Sequence, residues 1–293
     1  AHWSATSGGP PAGCVPTFND NVFFDENSFD TTGQTVTVDI AASCNSMFWE
    51  NVDSASNFTG NQTISIYGSL QLDSNMTWNL NHNTTFISDS ADVDSIDLAD
   101  NGFIRDVYFN GDGNWELNGD FTVSNSNYGV LFQQGTFVSN GYEIDAGVRW
   151  FANYNNYQYF DFTGTDTIRM RRDWYMHANG ADSLILGDAI IKIESNVGEH
   201  LNFIGGGHAY NDIHVAHHHT GGGLNVQFHH DNEYSDIYFE GAGGKRLYFR
   251  NNSTYDDVYL NFTGNSEAWV ILEDGPNVFD DFYLQNQGTN YPY

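Results

Sequence analysis

The chain has 293 residues and a formal charge of −29, with 38 Asp and Glu against nine Lys and Arg. Such a surface repels phosphate and polyuronate backbones, so nucleic acid and anionic polysaccharide are poor partners, and it welcomes divalent cations such as Ca2+. No apolar run approaches the ~18 residues of a membrane-spanning helix, so no membrane span is expected.

The first 104 residues carry 13 acids and no cation. Cys14 and Cys44 lie close in sequence, as a disulfide of an exported protein would. In the chain-entropy model such a bridge stabilises by about 3–4 kcal/mol. It would staple an N-terminal cap and first coil over residues 1–50. NVFFD at 21–25 is a frayed copy of a motif that then recurs: RDVYFNG at 105–111, NDIHVAH at 211–217, SDIYFEG at 235–241, DDVYLNFTG at 256–264 and DDFYLQN at 280–286. The last four place Asp212, Asp236, Asp257 and Asp281 at steps of 24, 21 and 24 residues. A beat of about 20–50 residues marks a solenoid or propeller, and this one is too short for a four-stranded propeller blade.

Within each copy apolar and polar residues alternate, as on a strand whose successive side chains face opposite sides. Ile237 and Phe239 point one way, Asp236 and Tyr238 the other. Gly and Asn crowd the corners, and no helical apolar stripe exceeds two turns. The expected fold is all-β: a right-handed parallel β-helix with coils of roughly 20–24 residues, continuous over 51–293. A β-sandwich is the alternative.

In such a helix the outward residues Tyr108, His214, Tyr238, Tyr259 and Tyr283 fall in one column, with the last four adjacent. They are candidates to stack sugar rings, or simply to stabilise a sheet surface. Seven histidines lie between 208 and 230. Imidazole is a common transition-metal ligand, which makes His217, His219 and His229 candidate ligands for a transition metal or for Ca2+. No cofactor is required by any motif. RMRRD, with Arg169, Arg171 and Arg172, is the only basic island and is expected to pair with carboxylates. NGDGNWE at 110–116 lacks the spacing of an EF-hand loop.

Asp–Ser/Thr–small or aliphatic triplets mark Thr31, Ser54, Ser90, Ser95, Thr167 and Ser183 as O-glycan acceptors of the kind found in exported proteins of Bacteroidetes. No nucleophile elbow, phosphate loop or dinucleotide fingerprint occurs. Abundant Asp makes any chosen carboxylate pair uninformative as a glycosidase signature.

PTFNDNVFFDENSFDTTGQTVTVDIAASCNSMFWENV at 16–52, YGSLQL at 67–72 and QGTFVSNGYEI at 134–144 resemble the repeat regions of Bacteroidetes surface proteins exported by the type IX secretion system, the gliding and adhesin type. The resemblance implies an extracellular, cell-surface β-helical passenger module and transfers no catalytic residues. The expected function is a non-enzymatic adhesin or stalk whose partner is a surface glycan or another extracellular protein. A carbohydrate-active β-helix and a self-assembling filament, with the chain as homo-oligomer or fibre, are the alternatives.

Overall fold

Short strands recur in threes. Val22–Phe24, Thr35–Val38 and Ala42–Cys44 make the first coil; Met47–Trp49, Ser56–Gly60 and Ile64–Ile66 make the second. Each pairs in parallel with its counterpart one coil on, in the registers Val22 with Met47, Val36 with Phe58 and Cys44 with Ile66. This is a computed structural model describing residues 3–52, 55–89, 91–152, 154–176, 183–196, 198–219, 224–242, 244–263 and 269–286. Among the described residues there is no helix, and every pairing between strands is parallel. The fold is a parallel β-solenoid. That excludes the sandwich, whose sheets are antiparallel.

One face of the solenoid is an eight-stranded sheet and another is an 11-stranded sheet. The third is a three-stranded sheet that gives way to a ten-stranded one beginning at Phe121–Thr122. Coil length varies more than the sequence beat suggests. The step is 20 residues from Val130 to Trp150 and 29 from Trp174 to Phe203. Inward columns fix the strands, so length differences collect in the corners.

The axis is filled by apolar side chains, chiefly aromatic. Phe86, Phe109 and Phe132 are fully buried, and their rings stack at 5.1 and 5.2 Å. Burying a side chain of this kind stabilises by about 1.5–3 kcal/mol. The column continues through Trp150 and Trp174, 6.1 Å apart, to Phe228 and Phe249, 5.3 Å apart. Corners are closed by buried amides. Asn232 accepts the Gly207 amide at 2.8 Å and donates to the His229 carbonyl at 2.7 Å and the Tyr234 hydroxyl at 2.7 Å. At Gly60 the backbone has φ 140°, and a Cβ there would lie 2.2 Å from the Val38 carbonyl oxygen one coil below.

At the N-terminal end Trp3 packs its ring 5.8 Å from Phe24, over the first coil. The expected Cys14–Cys44 disulfide is not formed: both thiols are free. Cys44 closes the strand Ala42–Cys44 with its side chain inward, in the same column as Ile66, while Cys14 is exposed. Strand parity therefore commits one thiol to the core. At the other end, Val278–Asn286 pairs with Thr254–Thr263, and its inward residues Phe282 and Leu284 are exposed.

Candidate functional site

The ten-stranded face carries one long outward column. Successive registers align Thr122, Asp145, Arg169, Lys192, His214, Tyr238, Tyr259 and Tyr283. The four residues anticipated as adjacent are adjacent. The Tyr238 and Tyr259 rings are 4.8 Å apart and 3° from parallel; Tyr259 and Tyr283 are 4.7 Å apart and 5° from parallel. His214 joins the stack at 4.7 Å, tilted by 53° from Tyr238. Tyr108 does not belong to it. Its strand, Val107–Asn110, lies in the 11-stranded sheet, between Thr85 and Leu131.

An aspartate column runs beside the tyrosines, because residues i and i+2 of a strand share a face. Each hydroxyl donates to the Asp two residues earlier. Tyr238 reaches Asp236 Oδ2 at 2.9 Å, Tyr259 reaches Asp257 Oδ2 at 2.9 Å and Tyr283 reaches Asp281 Oδ2 at 3.3 Å. The other carboxylate oxygen binds the next coil: Asp236 Oδ1 accepts the Asp257 amide at 3.2 Å, and Asp212 Oδ1 accepts the Asp236 amide at 3.3 Å. The repeated Asp–x–Tyr is thus a two-way clasp, within a coil and between coils.

This geometry alters the chemistry. The hydrogen bond to Asp236, with burial and the carboxylate charge, pushes the Tyr238 hydroxyl up to about 12. Tyr259 is pushed up by its bond to Asp257, and Tyr283 by the charges of Asp257 and Asp281. The rings also cover one another's faces, so the column offers water its ring edges, phenol oxygens and carboxylates. His214 is held below its ordinary value by burial and by Lys192.

Lower in the column Arg169 is engaged. Arg169 Nε lies 3.3 Å from Glu194 Oε2. Arg171 grips Asp145 with two bonds of 3.1 Å, and Arg172 lies between Asp173, at 2.6 Å, and Glu199. The basic island is paired with carboxylates, as anticipated.

The histidines do not converge. His217 ends the strand Ile213–His217, pointing inward and fully buried between Ser195 and Gly241 in register. Burial, and then the nearby Lys245, push it down to about 4. His229 lies on Leu224–His229 in the 11-stranded sheet, bonded to Gln227 Oε1 at 3.0 Å. His219 follows the strand and accepts the Lys245 ammonium through its carbonyl at 2.6 Å. The anticipated metal site at His217, His219 and His229 is therefore not assembled. Among the described residues no three His, Cys, Asp or Glu side chains are placed to hold a transition metal or Ca2+.

Of the O-glycan acceptors, Thr31 is exposed, and Ser95 and Ser183 are half-buried. Thr167 is corrected: it shares the outward face of its strand with Arg169, yet it is buried at 8% exposure and presents no accessible hydroxyl. Ser54 and Ser90 lie outside the described residues.

Asp236, Asp257 and Asp281 are site residues that a search for aromatic stacking alone passes over. Their i, i+2 spacing from each tyrosine was the available signal. Comparison with known protein families, with curated proteins and with solved structures finds no match to this chain.

Proposed function

We propose that the chain is a non-enzymatic, extracellular cell-surface module that binds a hydroxyl- or amine-rich glycan along the His214–Tyr238–Tyr259–Tyr283 column. The carrying observation is the Asp–Tyr clasp repeated on neighbouring coils. Each tyrosine spends its proton on its aspartate, so the column presents acceptors at one-coil intervals of about 4.8 Å. Donors complement such a row: the hydroxyls of a neutral glycan or the ammonium groups of an amino sugar. The charge of −29 favours the same ligands over uronates. Export of the type IX kind, with O-glycans on Thr31, Ser95 and Ser183, accords with an adhesin or stalk.

A glycan array carrying neutral, amino and uronic acid saccharides tests this reading. Binding to neutral or amino sugars, lost in Asp257→Ala and Tyr259→Ala, is the expected result. Preference for uronates, or binding that survives both changes, would overturn it. Reducing-sugar release from neutral polysaccharides, abolished by a single Asp→Asn change, would show instead an enzyme.

A further inference from the structure

The same column has a property that sugar binding does not use. We infer that Tyr238, Tyr259 and Tyr283 form a site of proton-coupled one-electron oxidation, at which a radical generated on the stack leads to dityrosine cross-links between copies of the chain. This does not rest on the glycan reading.

Three observations carry it. Each phenol already donates its hydrogen bond to a carboxylate oxygen, at 2.9 Å for Tyr238 and Tyr259 and 3.3 Å for Tyr283. A phenol becomes easier to oxidise when a base stands ready to take its proton. The rings are near-parallel and 4.7–4.8 Å apart, so neighbouring π-systems are in contact. Tyr283 is also 45% exposed, so its ring edge is accessible to a second copy.

The chemistry balances. A one-electron oxidant, of the class of a peroxidase high-valent haem or a photogenerated Ru(III) complex, removes an electron from Tyr259 while its hydroxyl proton passes to Asp257. The products are a neutral phenoxyl radical, a protonated Asp257 and the reduced oxidant. The hole moves outward when Tyr283 gives an electron to the Tyr259 radical and its own proton to Asp281. Asp257 then returns its proton to the Tyr259 phenolate. Two Tyr283 radicals from different copies couple through ring carbons ortho to oxygen. Each coupled carbon then loses its hydrogen and each oxygen regains one, restoring both phenols. Overall, two tyrosines become one dityrosine with the loss of two electrons and two protons.

The chain contains its own control. Tyr157 is 53% exposed, and no carboxylate is bonded to its hydroxyl among the described residues. The test is photo-oxidation of the full chain by tris-bipyridyl ruthenium and persulfate, with the loss of each tyrosine followed by peptide mass mapping and dityrosine by its fluorescence. The three ladder tyrosines are expected to be consumed several-fold faster than Tyr157, and covalent dimers are expected to be linked at Tyr283. Asp257→Asn is expected to slow Tyr259 several-fold while Tyr157 is unchanged, and Tyr283→Phe to abolish the dimer. Tyr157 reacting as fast as the ladder in the unmodified chain, a result that needs no variant to fold, would overturn the inference. So would an Asp257→Asn chain in which Tyr259 reacts at its original rate, or dimers that persist in Tyr283→Phe.

Discussion

The Asp236 carboxylate accepts the Asp257 amide of the next coil at 3.2 Å while its second oxygen holds the Tyr238 hydroxyl at 2.9 Å. One side chain therefore ties the turn of one coil to the strand of another. It does so only while Tyr238 keeps its proton, because a phenolate would face a carboxylate with no hydrogen between them. The folded-state value of about 12 lies above the ordinary tyrosine value of 10.0. Below that ordinary value the folded and unfolded chains are both protonated, and the contribution of the clasp is fully present. As pH rises from about 10 towards 12 the unfolded state loses its proton first, so stability falls. The ultraviolet phenolate titration of the wild type minus that of Tyr238→Phe is expected to centre near the upper value, and Asp236→Asn is expected to bring Tyr238 back towards the ordinary one. A difference curve centred at the ordinary tyrosine value in the wild type would show that the clasp is absent in solution.

Acid acts through a different residue. His217 is fully buried, and Lys245 stands close enough to oppose a second positive charge. Its folded-state value of about 4 lies below the unfolded 6.5. Above pH 6.5 neither state binds the proton. As pH falls from 6.5 towards 4 the unfolded chain takes it up first, and the fold loses stability on the order of 2–3 kcal/mol across that window. His229, also pushed down to about 4, adds to the same slope. Urea midpoints of His217→Leu are expected to fall less between pH 7 and pH 4.5 than those of the wild type. Parallel acid slopes for the two proteins would assign the loss to other groups.

The solenoid was legible because its alternation and its beat are set by the same constraint, that each coil must match the one below. Asp212, Asp236, Asp257 and Asp281 keep near-constant steps, and three tyrosines stack as a result. What sequence could not show is which face a copy occupies. Each coil carries three strands of similar alternation, so RDVYFNG reads like its later counterparts yet places Tyr108 on another sheet. Consecutive histidines mislead for a related reason. Parity sends His217 inward and leaves His218 exposed, so neighbours in sequence do not share a site. Thr167 fails as an acceptor for a different reason: a turn-like triplet stands where a strand begins, and packing buries the residue although it faces outward with Arg169.

Cysteine chemistry gives a direct check on the N-terminal coil. Burial pushes the Cys44 thiol up to about 12, and its side chain stands in the inward column with Ile66. Cys14 is exposed. A neutral thiol sealed from water is a poor nucleophile. Alkylation of the native chain is therefore expected to add one label, mapped to Cys14, and denaturation is expected to admit the second. Two rapid labels would mean that the first coil is open in solution. No label until a reductant is added would mean that the two thiols are joined after all.

Phe109 tests the core on which every outward column depends. It is fully buried, and its ring touches Phe86, Phe132 and Trp115 at 5.1–5.2 Å, from the coils on either side and from the neighbouring face. Truncation to alanine removes the ring and leaves a cavity that rigid neighbouring strands close only in part, a loss of about 3–5 kcal/mol. A solenoid is stabilised by nearest-neighbour contacts, so the damage should be greatest in the coils around Phe109. Hydrogen exchange of Phe109→Ala is expected to show lost protection in Thr84–Ile87, Val107–Asn110 and Val130–Phe132, while the strands bearing Tyr238 and Tyr259 keep theirs. Uniform loss along the whole chain would mean that the coils unfold as one cooperative unit, and the outward ladder would then be only as stable as the weakest layer beneath it.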